Sequence, residues 1–271
     1  MRRCWFTFFL AFSLVVSIFL SDGTKIYGKD EKKTEEQAGQ EDVQETQEPV
    51  NDPENAEDAN PDMEEIRKQE EKPSAPRPDG SLFPSNFQDV LFIGDSRTVG
   101  LYEYGQLGEA DVFADSGMSV FSLWESKADC SDGEKKTLEQ LLSEKQYQTI
   151  HFMLGINELG YPMEQIVQEY EEAVEKIQDM QPQAIVVLGA NMHVTAEKSE
   201  SSSIYNNERI NILNDQIKQI GQEQNCYYID VNERFDDEEG SLSEEYSGDG
   251  SHVLGKYYAE WTVWLQGTRT Q

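Results

Sequence analysis

The sequence predicts an α/β protein, built as a three-layer α/β/α (flavodoxin-like) domain with about five parallel strands. Three observations carry that prediction. From residue 85 onward, short apolar runs alternate with longer amphipathic segments. The runs "VLFI" and "AIVVLGA" are apolar without alternation, as in strands covered on both faces. Each pair of runs is separated by enough chain for a helical crossover, which makes βαβ units and a parallel sheet.

In chain order, "DVLFIGD" reads as the first strand and "RTVGLYEYGQL" as the helix after it. "ADVFADS" is a second, weaker strand, and "DGEKKTLEQLLSEKQ" is a helix with Leu138, Leu141 and Leu142 at helical spacing. "TIHFMLG" is the third strand. In "MEQIVQEYEEAVEKIQDM", Ile166, Tyr170, Ala173, Val174 and Ile177 fall on one helical face. "AIVVLGA" is the fourth strand, "IYNNERINILNDQIKQIGQEQ" a helix, "CYYIDVNERF" a fifth strand and "LGKYYAEWTVWLQ" the closing helix.

The N-terminal third has a different character. Arg2 and Arg3 precede "CWFTFFLAFSLVVSIFL", a basic start followed by an apolar export segment. Residues 1–23 are therefore expected to form an apolar helix, either an uncleaved signal anchor with the arginines inside or a cleaved signal peptide. Residues 24–84 are dominated by Glu, Gln, Asp, Pro and Lys and cannot bury enough apolar surface to offset their ordering entropy. They are expected to form a disordered acidic linker, leaving residues 85–271 as the folded domain. The protein is expected to be exported, either held on the outer face of a membrane through the N-terminal segment alone or secreted.

With 53 acidic against 22 basic residues the formal net charge is −31, which argues against a nucleic-acid partner. Cys4 sits in the apolar segment, whereas Cys130 and Cys226 lie in the folded part and make either one disulfide or two free thiols. His and Cys are few and scattered, so no metal site and no cofactor are expected.

In a parallel sheet of this kind, ligands bind outside the carboxyl ends of the strands. The loops to inspect follow Ile93, Ala114, Leu154, Leu188 and Phe235. After Ile93 comes "GDSRT", where Ser96 is either a helix N-cap or a hydroxyl displayed among helix amides. A serine nucleophile needs a base, and the chain has three histidines. His151 lies inside a strand, where a core role is the default. His193 in "GANMHV" follows the fourth strand. His252 in "GDGSHVLGKYY" follows Asp249 by three residues, so a tight turn can set the carboxylate against one imidazole nitrogen and leave the other to accept a proton. Taken alone, Asp249 or Ser251 could equally be a helix cap. "LGINELG" places Gly155 and Asn157 after the third strand, as an amide donor or as an ordinary turn. "DSGMSV" places Gly117, with its backbone N–H, after the second.

In this order, "GDS", "SGMS", "GINE" and "DGSH" resemble the blocks of the SGNH (GDSL-type) hydrolases, across essentially the whole folded domain. The resemblance implies Ser96 as nucleophile and His252 as base oriented by Asp249. It also implies an oxyanion hole made by Ser96, Gly117 and Asn157. Two positions depart from the family pattern: Glu158 stands where the G-x-N-D block has its aspartate, and no Asn precedes Gly117. Trp124 in "FSLWES", with Met192 and His193, is expected to line an acyl or sugar pocket. The function expected is an exported serine esterase that hydrolyses acyl esters, in particular acetyl esters, on cell-envelope carbohydrate. Two other readings stay open: an O-acyltransferase with the same triad, and a non-catalytic envelope-binding domain on this fold.

Overall fold

The computed structural model describes residues 77–129 and 134–270. The apolar segment, most of the acidic linker and Cys130 lie outside the described residues. Among the described residues, no helix is long and apolar enough to cross a membrane.

Five strands form one parallel sheet: β1 (Val90–Gly94), β2 (Asp111–Ala114), β5 (Thr149–Met153), β6 (Ile185–Gly189) and β7 (Tyr227–Ile229), in the order β2-β1-β5-β6-β7. Strands β3 (Lys127–Asp129) and β4 (Lys135–Thr137) make a separate antiparallel pair. The helices are α1 (Ser96–Tyr104), α2 (Leu138–Glu144), α3 (Met163–Met180), α4 (Ala196–Ser201), α5 (Asn207–Glu223), α6 (Asn232–Phe235) and α7 (Tyr258–Gly267).

Strand alternation explains the three layers. In β1, Leu91 and Ile93 enter one core while Val90 and Phe92 enter the other, and all four are fully buried. The first core is covered by α2, α3 and α5. The five α3 residues expected on one face are all buried there, with Leu213 and Ile217 of α5 beside them. The second core is covered by α1 and α7, through Leu101, Trp261 and Leu265. Burying each such side chain stabilises the fold by roughly 1.5–3 kcal/mol.

Four expectations are corrected. The segment read as the end of the linker belongs to the domain: Leu82 and Phe83 are 1% and 2% exposed in the second core, and Arg77 Nη1–H donates to the Leu82 carbonyl at 2.8 Å. The helix expected across residues 132–146 begins only at Leu138. Thr137 and Gln140 close a reciprocal capping box there, and the three residues before the helix form β4. The first helix ends at Tyr104, where Gly105 caps it and Gln106 takes a φ of 60°. The fifth strand stops at Ile229, because Asp230 Oδ1 accepts the Asn232 N–H at 2.9 Å and turns the chain into α6. The loop at the carboxyl edge of the sheet therefore follows Ile229, not Phe235.

Candidate active site

The strand register sets three loops side by side. Gly94 is the Cα partner of Ala114 in β2 and of Met153 in β5, so the chains leaving β1, β2 and β5 start together at one edge. Gly94 permits the tight approach of α1 to that edge: a Cβ there would lie 2.0 Å from Thr98 Oγ1 and 2.9 Å from the Met153 carbonyl.

The structure decides what caps α1. Asp95 does, its Oδ1 accepting the Arg97 N–H at 2.9 Å. Ser96 is the first residue of the helix, half-buried, with its hydroxyl directed elsewhere: Ser96 Oγ lies 2.8 Å from His252 Nε2. The other ring nitrogen, Nδ1, lies 2.7 Å from Asp249 Oδ2. A carboxylate only accepts, so Nδ1 carries its proton and Nε2 is left to accept from Ser96.

One carboxylate builds this arm. Asp249 Oδ1 accepts the Ser251 and His252 N–H groups, each at 2.8 Å, which folds the turn. Its Oδ2 orients the imidazole. The turn is closed by the Ser247–Val253 bridge, and Gly250 N–H donates to Ser247 Oγ at 2.9 Å. Partial burial opposes ionisation of Asp249, but the hydrogen bonds from the His252 ring and from the Ser251 and His252 backbone outweigh it. Together they hold the carboxyl well below the usual carboxylate range.

In the loop after β5, Asn157 Nδ2–H donates to the Met118 carbonyl at 2.9 Å. That bond fixes the amide's orientation and leaves its second N–H available. Gly117 sits in the loop after β2 with φ of 89°, a conformation that glycine adopts without steric cost. Behind the serine, Asp95 and Arg97 are 1% and 2% exposed, and Arg97 Nη1 lies 3.9 Å from Asp95 Oδ2. Burial raises the pKa of Asp95, and Arg97 opposes that rise.

The residues expected to line a pocket sit elsewhere. Met192 is fully buried in the second core. His193 is 8% exposed and both its ring nitrogens are taken, Nδ1 by Asp236 Oδ2 at 2.7 Å and Nε2 by Asn211 Oδ1 at 2.8 Å. Trp124 packs half-buried against the first core, with Lys176 Nζ 4.0 Å from its ring centroid. His151 is a core residue, 1% exposed beside Phe92, and burial pushes its pKa down to about 3. Cys226 is a free thiol, pushed up to about 12 by burial. The Ser247 support beneath Asp249, and the grip of Glu158 on Val120, were not foreseen in the sequence. The second joins loops 38 residues apart, with no local pattern to announce it.

Among the described residues, no cluster of His, Cys, Asp and Glu has the form of a metal site. A model of the GDSL-like lipase/acylhydrolase family matches residues 92–259, from β1 into α7. No curated protein sequence matches the chain. Among solved structures, a candidate platelet activating factor from Streptococcus pneumonia is similar, at 20% identity and a TM-score of 0.54 over 66% of this chain and 83% of that one. A GDSL-like lipase from Bacteroides thetaiotaomicron is similar at 15% identity and 0.49, over 64% and 83%. An acetylxylan esterase from Geobacillus stearothermophilus is similar at 18% and 0.46, over 66% and 94%. The pneumococcal likeness shows the shared fold. The family match runs from within β1 through the other four strands of the parallel sheet and takes in Ser96, Asn157, Asp249 and His252, and by it the chain belongs to the GDSL-like lipase/acylhydrolase family and is a carboxylic ester hydrolase.

Proposed function

We propose that this chain is an exported serine esterase that removes small acyl groups, acetyl first among them, from cell-envelope carbohydrate through an acyl-serine intermediate. The observation that carries the serine mechanism is the unbroken hydrogen-bond chain from Ser96 Oγ through His252 to Asp249. As Ser96 Oγ attacks the ester carbonyl, His252 Nε2 takes its proton, and the ionised Asp249 stabilises the imidazolium. The N–H groups of Ser96 and Gly117 and the free Asn157 amide hydrogen receive the oxyanion. His252 then gives the proton to the leaving alcohol oxygen. It next takes one from water, which attacks the acyl-serine, and returns it to Ser96 Oγ as the acid is released. No step calls for a metal or cofactor.

The substrate reading rests on how open the arm is. The His252 and Asp249 side chains are 41% and 55% exposed, and Ser96 is half-buried. A bulky polar carrier can lie across such an edge and present a short acyl group to Ser96. Export rests on the basic and apolar start of the sequence and on the acidic segment after it.

The test offers the full chain an acetylated glycan and p-nitrophenyl esters of increasing acyl length. The proposal expects free acetate in solution and rates that fall as the acyl chain lengthens. Rates that rise with chain length contradict it, and acetate appearing on an acceptor sugar makes the protein an acyltransferase. N-terminal sequencing of the mature protein tests the anchor: an intact Met1 in the membrane fraction supports it, and a new terminus near Gly23 refutes it.

A further inference from the structure

Two neighbouring residues after β5 hold two peptide groups of the loop after β2. Asn157 Nδ2–H donates to the Met118 carbonyl, and Glu158 Oε1 accepts the Val120 N–H. Glu158 is 1% exposed, and its other oxygen, Oε2, is buried without a hydrogen-bond partner. A buried carboxyl with one oxygen unpartnered is costly, which makes the bond to the distant Val120 N–H the informative feature.

The loop it holds needs such support. The Met118 and Val120 side chains are both 2% exposed, which fixes how deep the loop sits. Apolar burial is non-directional, however, and does not fix the rotation of the peptide planes. At Gly117 an added Cβ would meet nothing within 4 Å, so that side of the loop is open. Directional restraints come from the Met118 N–H bond to the Asp115 carbonyl at 3.0 Å, from the Ser119–Ser122 capping box, and, reaching across from the loop after β5, from the Asn157 and Glu158 bonds.

We propose that Glu158 is a positioning residue for ester hydrolysis. By holding the Val120 N–H it sets the peptide planes of residues 117–120, so that the Gly117 N–H and the Asn157 amide face the same oxyanion. The inference rests on the serine-esterase reading above. Burial pushes Glu158 up to about 7 against the opposing Val120 N–H, and the Asp95 carboxyl adds to the rise. A neutral carbonyl oxygen can therefore serve as the acceptor near neutral pH, and glutamine reproduces it.

The experiment compares kcat and KM for p-nitrophenyl acetate in wild type, Glu158→Leu, Glu158→Asp and Glu158→Gln. Hydrogen exchange is followed across residues 117–121, and Ser96 labelling by a fluorophosphonate is run in parallel. Glu158→Leu is expected to lower kcat about 10–100-fold with KM nearly unchanged, somewhat less than the loss of an oxyanion donor itself. Exchange at Val120 should quicken while the 247–253 turn keeps its protection. Glu158→Asp shortens the arm but keeps the carboxyl, so it lowers kcat in the same manner and serves if the leucine variant does not fold. Glu158→Gln restores kcat to within about threefold of wild type. An active, labelled wild type whose kcat is unchanged in the leucine and aspartate variants, or lost as fully with glutamine as with leucine, overturns the Glu158 inference alone. A folded wild type that takes no label overturns it together with the esterase reading.

Discussion

Ser96 Oγ and His252 Nε2 lie 2.8 Å apart although 156 residues separate them in the chain. The sheet edge supplies one partner and the turn before α7 the other, so the pair exists only in the folded domain. His252→Ala removes the base and is expected to lower kcat on the order of 10⁴–10⁶-fold, with an unchanged circular dichroism spectrum and melting temperature. Asp249→Ala also loosens the turn, because the same carboxylate accepts the Ser251 and His252 N–H groups. It should cost on the order of 10⁴ in kcat and visibly increase hydrogen exchange at residues 250–252. Near-normal turnover in His252→Ala would give the base role to another group.

Gly117 offers a cleaner perturbation. Alanine finds open space at this position, so its cost comes from the φ of 89° and not from a clash. Gly117→Ala is expected to destabilise the protein by about 1–2 kcal/mol. It should also lower kcat by at least tenfold as the N–H turns away, with KM little changed. Steady-state kinetics with a thermal melt checks both. A variant that melts lower but keeps kcat would remove Gly117 from the oxyanion hole.

His151 makes the fold sensitive to acid. Its folded pKa is depressed to about 3 by burial, against about 6.5 in an unfolded chain. The unfolded state therefore binds a proton first. The stability of the neutral form is full above about pH 6.5 and declines as pH falls toward 3, by at most about 1.4 kcal/mol per pH unit. Urea denaturation of wild type and His151→Leu across that window should show the wild type losing ground steadily. Parallel curves would contradict it.

His193 works in the opposite direction. Its burial lowers the pKa, but the hydrogen bond and charge of Asp236, with Asn211 on the other nitrogen, outweigh that and raise it. A raised value means stability that is full below the unfolded pKa and lost as pH climbs through the folded one. The stability advantage of wild type over His193→Gln should be largest at mildly acidic pH and shrink under alkaline conditions. A difference independent of pH would show that the ring is held by packing alone.

β1, β5, β6 and α3 were legible in the sequence because the strands are largely apolar runs and the helix is strongly periodic. β2 and β7, of four and three residues, were legible in place but not in extent. The spacing of Asp249 and His252 allows a single turn to join them but equally a helix cap, and it was the resemblance of the ordered blocks to the family that implied their roles. What was not legible depends on contacts distant in the chain. Met192 and His193 follow β6 at the edge where ligands bind, and were read as pocket residues. The chain there turns inward, because its backbone is stitched down by side-chain amides. Asn214 Oδ1 accepts the Asn191 N–H at 2.7 Å, Asn232 Oδ1 accepts the His193 N–H at 2.8 Å, and Asn207 Oδ1 accepts the Val194 N–H at 2.9 Å. Asn207 and Asn214 of α5 and Asn232 of α6 are distant from β6 in the chain, and apolar periodicity does not reveal that they grip the segment after it. The late start of α2 was legible in principle, since Thr137 and Gln140 spell a capping box three residues apart.

The central claim is that Ser96 is the nucleophile, and labelling by a fluorophosphonate probe tests it most directly. The full-length protein should take up one label on a peptide containing Ser96, and Ser96→Ala, equally well folded, should take up none. A folded wild type that does not react, or a Ser96→Ala variant that labels as well as wild type, would contradict it.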